Sequence, residues 1–372
     1  MKNPFTIGLI EEEADFCNRL QERKELLQYA RGGHNVVLYS SRRYGKSSLV
    51  KLLKKDLEKE KFLTAYIDLF PISSLQDAAQ RMITGLIQAI GKGIDQRSVL
   101  EKMKDVFHAI RPVLSLEPEG IKFSVQLSSN DHPLNFLEDL FEGLGIWVEK
   151  MRKNAFIIFD EFQEITQLPE SKKLEGLMRS KIQGHKEISY FFVGSRRTVL
   201  KDIFTTKNRP FYKSAFLYPL GKIPRNEFID FLMERFQKSG KTILKSLCEE
   251  IYDRMQGYPY YVQKFSSLIW DMSADEPTLK TFQDAYEKLL QSEKSDFEAH
   301  WSGLTSAQKN FLKTLANYPT AKPFSKNYMK QLDLSTGGAQ KVLKVLIQKD
   351  LIEKNETGYT LTDPMMIEWL KR

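Results

Sequence analysis

Apolar residues along this chain form two kinds of run: short unbroken blocks, and longer stretches spaced for helices. Val36-Val37-Leu38-Tyr39, inside a segment from His34 to Ser40, is the first block, and Ala155 to Phe159 and Ile188 to Val193 repeat it. A strand covered on both faces reads this way, because neither face needs to be polar. Phe62 to Phe70 reads as a further strand and Phe216 to Ile223 as a fifth candidate. Helical spacing lies between them. Leu20, Leu26 and Leu27 share one face of a helix over Asn18 to Ala30, which Gly32-Gly33 breaks. Leu49, Leu52, Leu53 and Leu57 line the helix after the first strand. Residues from about 75 to 152 read as mostly helical, with a polar interruption near Ser115–Pro133. Within it Ile121 to Leu127 alternates with period two and predicts a small hairpin. Strands alternating with helices predict a parallel sheet with right-handed crossovers, and such sheets bind ligands at the carboxyl ends of their strands.

Beyond Pro224 the pattern turns helical throughout. Phe228, Phe231, Leu232 and Phe236 form one stripe of a helix over Asn226–Gln237, and a helix from Ile243 to Met255 ends at Gly257-Tyr258-Pro259. From about Trp301 the spacing shortens. Helices over Ser306–Tyr318, Ser325–Leu332 and Ser335–Lys349 precede a hairpin from Leu351 to Thr362, the outline of a winged helix.

Composition narrows the classes. A chain of 372 residues suggests two or three domains, and 41% hydrophobic with 28% charged residues excludes disorder over any large part. Lys and Arg number 56 against 48 Asp and Glu, a net charge of +8 that permits contact with phosphate, nucleic acid or an anionic membrane surface without demanding it. Cys17 and Cys248 supply no disulfide framework and no thiolate metal motif, and the five His residues show no ligand spacing. No apolar run approaches the roughly 18 residues of a membrane helix, and the early Glu11-Glu12-Glu13 is unlike a signal peptide. The expectation is a cytoplasmic protein with no membrane partner.

The first strand leads into Ser40-Ser41-Arg42-Arg43-Tyr44-Gly45-Lys46-Ser47-Ser48 and then a helix. Strand, loop and helix in this order aim backbone N–H groups at an anion, where the helix dipole is positive. Gly45 lets the backbone approach, Lys46 reaches β- and γ-phosphates, and the Ser47 hydroxyl ligates Mg²⁺. The usual phosphate-loop pattern has Gly five positions before Gly45, where this chain has Ser40. The expectation is that Ser40 takes the entry conformation at some strain.

The strand from Ala155 ends in Asp160-Glu161-Phe162-Gln163. At a strand's carboxyl end, Asp160 holds Mg²⁺ through water and Glu161 polarises the attacking water, with Lys46 and the dication offsetting the two charges. Acids decorating a helix N-terminus are the plainer alternative. The fourth strand ends in Gly194-Ser195-Arg196-Arg197: Ser195 is a candidate γ-phosphate sensor, Arg196 a candidate for offsetting charge on the transferring group, and both arginines otherwise read as surface residues.

These residues resemble the archaeal-type ATPases of the STAND branch of AAA+ P-loop proteins, a group also found in bacteria. Asn3-Pro4-Phe5 and Phe16-Cys17-Asn18-Arg19 resemble that family's opening segment, and Arg42-Arg43-Tyr44-Gly45-Lys46-Ser47 its arginine-marked phosphate loop. Asp160-Glu161-Phe162-Gln163 and Gly194-Ser195 resemble its metal-binding and sensor strand ends; Pro210-Phe211-Tyr212 fits a further block, and Gly257-Tyr258-Pro259 resembles its lid motif. The resemblance implies an AAA+ α/β core with a parallel five-stranded sheet over 1–223, a helical lid over 224–299 and a winged helix over 300–372. It implies that Phe5, Ile7 and Arg19 approach the adenine side of ATP or ADP, with Pro259 near the base. It also implies a slow Mg²⁺-dependent ATPase acting as a nucleotide switch.

The alternative function is a DNA-binding regulator in which nucleotide is structural. Its recognition helix presents Gln340, Lys341, Lys344 and Gln348, and its wing Lys354, Asn355 and Thr357. A protein partner is the other occupant of that surface. The sequence leaves oligomeric state open, a homo-oligomer included.

Overall fold

The structure is a computed structural model that describes residues 2–10, 12–91, 132–354 and 358–372 with their side chains, and 111–117, 120–126 and 355 by their backbone. The helical expectation over 92–110 lies outside the described residues. Two compact units divide the chain. One comprises Arg19–Arg42 and Lys46–Gly221, the other Met1–Asn18, Arg43–Gly45 and Lys222–Arg372.

The first unit begins with helix α1 (Leu20–Arg31). It starts after the expected position because Asn18 and Arg19 have φ of 49° and 70°, which a right-handed helix cannot contain. Leu20 therefore sits at the first helical position and is 69% exposed, while Leu26 is fully buried. Strand β1 (Val36–Tyr39), α2 (Lys46–Lys59), β2 (Leu63–Asp68) and α3 (Leu75–Gly91) follow. An antiparallel pair, β3 (Arg111–Glu117) and β4 (Gly120–Gln126), precedes α4 (Pro133–Lys150). The alternating segment thus forms a hairpin, with Leu127 outside the described residues. Then come β5 (Ala155–Asp160), α5 (Ser171–Ile182), β6 (Ile188–Gly194), α6 (Arg197–Thr205) and β7 (Phe216–Pro219).

The five long-range strands form one parallel sheet in the order β2-β5-β6-β1-β7. Every residue of β5 and β6 is buried, which is why their sequences are unbroken apolar runs. Strand β7 is an edge strand and ends with its only neighbour: β1 stops at Tyr39, whose carbonyl accepts from the Leu220 N–H at 2.9 Å, so no partner is left for a strand reaching Ile223, and the Pro219 nitrogen, which has no N–H, faces the open edge. Below the carboxyl ends of β5 and β6 the rings of Phe162, Phe192, Phe204 and Phe211 meet at centroid distances of 4.6 to 6.1 Å. Phe211, from the Pro210-Phe211-Tyr212 block, is thereby a core residue beneath the acidic strand end.

The second unit carries α7 (Arg225–Lys238), α8 (Lys245–Arg254), α9 (Pro259–Met272) and the 24-residue α10 (Leu279–Ser302). Phe228, Leu232 and Phe236 are buried along α7, with Phe231 partly so. Gly257 has φ of 67°, and a Cβ there would stand 2.6 Å from the Tyr252 hydroxyl, so the turn before α9 accepts glycine alone. The C-terminal portion is α11 (Ser306–Asn317), α12 (Lys326–Leu332), α13 (Thr336–Gln348), the antiparallel strands β8 (Ile352–Asn355) and β9 (Gly358–Leu361), and α14 (Pro364–Lys371). Helix–helix–helix–hairpin is a winged helix, closed by a helix that the spacing did not announce. Asp363 caps α14 by accepting from Met365 and Met366 N–H, and Pro364 occupies the first helical position.

Candidate functional site

The loop between β1 and α2 is held from inside by its own lysine. Lys46 is 5% exposed, and its Nζ donates to the Ser40 and Ser41 carbonyls at 3.2 and 2.9 Å and reaches the Ser40 hydroxyl at 3.3 Å. A buried ammonium needs such acceptors. These carbonyls hold it in the loop. Ser40 and Ser48 are buried, and Ser40 is not among the residues with positive φ. The strain expected at Ser40 is therefore not there. The left-handed positions are Arg43 (φ 65°) and Gly45 (φ 84°), so the turn is made later in the loop than the missing glycine suggests.

Arg43, Tyr44 and Gly45 belong to the second unit. There the Arg43 guanidinium lies 4.3 Å over the Tyr260 ring, donates to the Tyr261 hydroxyl at 2.9 Å and pairs with buried Glu293 at 3.1 Å. The Tyr44 ring stands edge-on to Tyr258, centroids 4.8 Å apart. Arg42 is exposed. Of the residues expected on the adenine side, Arg19 lies in the first unit, 3% exposed and paired with Glu22 at 2.8 Å. Phe5 lies in the second, buried with its ring 5.3 Å from that of Phe236. Ile7 is exposed, and Pro259 opens α9.

The structure brings Ser47 and Asp160 together from opposite sides of 113 positions of sequence. The Ser47 hydroxyl donates to Asp160 Oδ2 at 2.7 Å. The Tyr66 hydroxyl, from β2, donates to the same oxygen at 2.6 Å. Burial, then the neighbouring Asp160 charge, push the Tyr66 phenol well above its ordinary pKa, so it stays a donor. The other carboxylate oxygen, Oδ1, accepts from the Glu161 N–H at 2.9 Å.

Glu161 leaves the strand in a left-handed conformation, φ 49°, and opens a 3₁₀ turn over Phe162–Gln167. That turn swings its carboxylate to the tip of β6. Glu161 Oε2 accepts from Ser195 Oγ at 2.9 Å, Ser195 N–H at 3.2 Å and Gln163 Nε2 at 2.5 Å. Gln163 fits because position 194 is glycine: a Cβ there would stand 1.9 Å from Gln163 Oε1. Ser195, a candidate phosphate sensor from its position, thus holds the glutamate in this structure. Arg196 is partly buried and pairs with Glu164 at 3.6 Å.

Sequence reasoning missed Tyr66 and Asp68, and named Gln163 only as part of the Asp160–Gln163 motif, with no role of its own. Asp68 pairs in register with Asp160 across the β2–β5 ladder. Burial raises its carboxyl pKa, and the charges of Asp160 and Glu161 add to the rise. The signal was available: parallel pairing of two strand ends places their last residues side by side. What was lacking was the strand order, which puts β2 next to β5.

Donor chemistry suits a hydrated dication. Among the described residues no group of three His, Cys, Asp or Glu side chains forms a metal cage. Mg²⁺ does not ask for one, since it keeps several waters and takes one or two protein oxygens beside phosphate oxygens. Among the described residues no Lys, Arg or His side chain forms an ion pair with Asp160 or Glu161, whose hydrogen bonds come from hydroxyl, side-chain amide and backbone N–H donors. No helix among the described residues is long and apolar enough to cross a membrane.

Comparison with known proteins bears on the fold and the family. No curated protein matches the chain. Among solved structures, a Walker-type ATPase of Pyrococcus abyssi superposes with a TM-score of 0.73 at 16% identity, over 99% of this chain and 100% of that one. The ORC2 protein of Aeropyrum pernix, in ADPNP-ADP complexes, gives 0.58 at 15% identity, over 100% and 96%. Its ORC1 protein, in complex with DNA, gives 0.50 at 12% identity, over 95% and 92%. At such identities these likenesses show a shared fold. A model of a probable winged helix domain matches residues 295–372. The model of the KAP family P-loop domain matches residues 44–302, most of the chain, and the protein belongs to that family.

Proposed function

We propose that this protein is a Mg²⁺-dependent ATPase of slow turnover, a nucleotide switch of the STAND type. The observation that carries the reading is the meeting of Ser47, Asp160, Glu161 and Ser195 at three neighbouring strand tips, with Lys46 at the root of the loop beside them. Lys46 exchanges the Ser40 and Ser41 carbonyls for β- and γ-phosphate oxygens. Backbone N–H groups over Ser41–Ser48 cradle the phosphates, as helix N-termini do. Ser47 and Asp160 hold Mg²⁺, which offsets charge on the phosphates and on the leaving oxygen. Glu161 accepts a hydrogen bond from the attacking water and orients it in line.

In this structure Glu161 Oε2 is occupied by Ser195 and Gln163. Its other oxygen, Oε1, is the one left to receive water, and exchange of the Ser195 hydroxyl onto a phosphate oxygen frees the rest. Turning that carboxylate fully toward the water requires the bonds on Oε2 to open, a conformational step that gives slow turnover. Arg196, tied to Glu164 within the same unit, serves the transferring group once that pair opens. Phe5, Ile7, Arg19 and Pro259 on the adenine side, Arg42, Arg43 and Tyr44 in the phosphate cradle, and the boundaries 1–223, 224–299 and 300–372 are part of the same proposal.

The test is to purify the full chain, identify bound nucleotide by chromatography, and measure Mg²⁺-dependent phosphate release. Lys46→Ala is expected to weaken ATP binding by about a hundredfold, the loss of a charge-assisted contact to the phosphates. Unchanged affinity in that variant removes the phosphate loop from the proposal.

A second reading has its own observation. Gln340, Lys341, Lys344 and Gln348 are all exposed along α13, and Lys354 is exposed on β8, with the side chains of Asn355 and Thr357 outside the described residues. Such a face could read duplex DNA, with nucleotide in a structural role. Duplex affinity that falls steeply as salt rises supports it, and no binding at low salt removes it.

A further inference from the structure

A polar cavity of about 370 Å³ lies at the amino ends of β1, β6 and β7. These are the ends opposite Ser195 and the acid pair, and β6 alone sets the two places roughly 20 Å apart at ~3.3 Å per residue. The lining includes Arg179 from α5 and Lys213 from the loop before β7, and no Asp or Glu. Neither cation forms an ion pair among the described residues, although the surface carries many such pairs elsewhere, Arg31–Glu60 and Lys181–Glu142 among them. Lys213 takes φ of 54°, an uncommon backbone state for lysine, at the point where the loop turns into β7.

Neutral donors accompany the two charges. Asn35 spends its Oδ1 on the Tyr190 N–H at 3.0 Å, which fixes the amide and leaves its NH₂ as the available group. Gln183 is an exposed amide on the same lining. His185 is neutral there, because burial lowers its pKa and its Nδ1 is bonded to the Tyr190 hydroxyl at 2.7 Å, so it shapes the wall without adding charge. The remaining wall is aromatic. The Phe216 ring is 50% exposed, backed by Tyr29 at 5.0 Å and met edge-on by His34 at 5.4 Å. A half-exposed ring with a rigid backing offers a stacking face beside the cations.

We propose that this cavity is a second anion site, for a phosphate monoester that carries a ring. A guanidinium fork and an ammonium match a doubly charged tetrahedral group with three terminal oxygens, and two amides complete its donors. Phe216 receives the ring. The site does not depend on the ATPase reading, since none of its residues belongs to the phosphate loop or to the acid pair.

The full chain carrying Lys46→Ala, which disables the phosphate loop, is titrated calorimetrically with phenyl phosphate and with inorganic phosphate at constant ionic strength. Phenyl phosphate is expected to bind, and about fivefold more tightly than inorganic phosphate because of the stacked ring. Adding Arg179→Ala or Lys213→Ala is expected to weaken both ligands by about tenfold. Phe216→Ser is expected to weaken phenyl phosphate alone. All three positions are at the surface, and an unchanged urea midpoint shows that each variant folds. No saturable binding in the Lys46→Ala chain, or affinity indifferent to Arg179 and Lys213, overturns the site. Equal affinity for the two ligands overturns the ring-bearing class.

Discussion

Two of the buried carboxylates among the described residues, Glu293 and Asp160, meet opposite kinds of partner. In the second unit Glu293 is 2% exposed, with Lys264 Nζ at 2.5 Å and the Arg43 guanidinium at 3.1 Å. Burial works to raise its pKa, and the two cations outweigh it, so the carboxyl is held below its ordinary range. In the first unit Asp160 is equally buried, yet its oxygens meet a serine hydroxyl, a phenol and a backbone N–H. The first arrangement is complete in itself. The second orients a charge without cancelling it, which suits a place where a cation arrives with the ligand. Burial alone does not tell a structural acid from a functional one; the charge state of its partners does.

The sharpest test of that contrast lies at Glu161. Glu161→Gln keeps the shape and accepts or donates one hydrogen bond to Ser195, but it no longer carries the charge that polarises water. Turnover under saturating Mg²⁺ and ATP is expected to fall by about 10²–10³, roughly 3–4 kcal/mol of barrier, with nucleotide affinity preserved. Wild-type turnover in this variant would place Glu161 with the structural acids.

Glu293 should respond in the other currency. Glu293→Ala leaves Lys264 and Arg43 beside the Tyr260 and Tyr261 rings without their shared anion. Urea unfolding is expected to show a loss of about 2–3 kcal/mol, somewhat below the range for fully buried pairs because Arg43 is partly exposed. The same arginine is one that the sequence assigns to the phosphate cradle. A midpoint unchanged by the substitution would mean that the cluster is ornamental.

Much of the sheet was legible because burial on both faces forces apolar runs, and Ala155 to Phe159 or Ile188 to Val193 admit few other readings. Strand ends were less so: β7 stops where its neighbour β1 ends at Tyr39, which the apolarity of its own residues does not register. Lys46, Ser47, Asp160 and Glu161 stood out because their spacing follows strand tips. Tyr66 and Gln163 did not, since their importance lies in strand order and in the empty volume at Gly194, neither of which is periodic. Arg43 reads as a phosphate ligand from its neighbours in sequence, whereas its contacts with Glu293 and Tyr261 span more than 200 positions.

Tyr66→Phe removes one of the two hydroxyls that orient Asp160, together with its contact with the Ser47 hydroxyl. Hydrogen bonds that orient a metal-ligating carboxylate commonly matter by about tenfold or more in metal affinity. With Ser47 still in place, the Mg²⁺ concentration giving half-maximal turnover is expected to rise by about five- to tenfold, with the maximal rate little changed. A fall in maximal rate alone would instead connect Tyr66 to Glu161.

The smallest effect belongs to Asp68, and its sign is the informative part. Burial and the charges of Asp160 and Glu161 raise its carboxyl pKa in the folded chain. The folded state therefore binds the proton more tightly than the unfolded chain, and stability falls as pH climbs from the unfolded pKa through the folded one. At neutral pH the charged Asp68 is a cost. Asp68→Asn keeps an oxygen to accept the Phe70 N–H, now at 2.8 Å, and discards the charge. Because the side chain is only partly withdrawn from water and solvent screens its charge, urea unfolding at neutral pH should show a gain of only about 0.5 kcal/mol or less. The gain should shrink below the carboxylate range, where wild type is protonated too, and in saturating Mg²⁺, where a bound dication offsets the repulsion. A gain that persists with the metal present would mean that the cation does not sit among these acids.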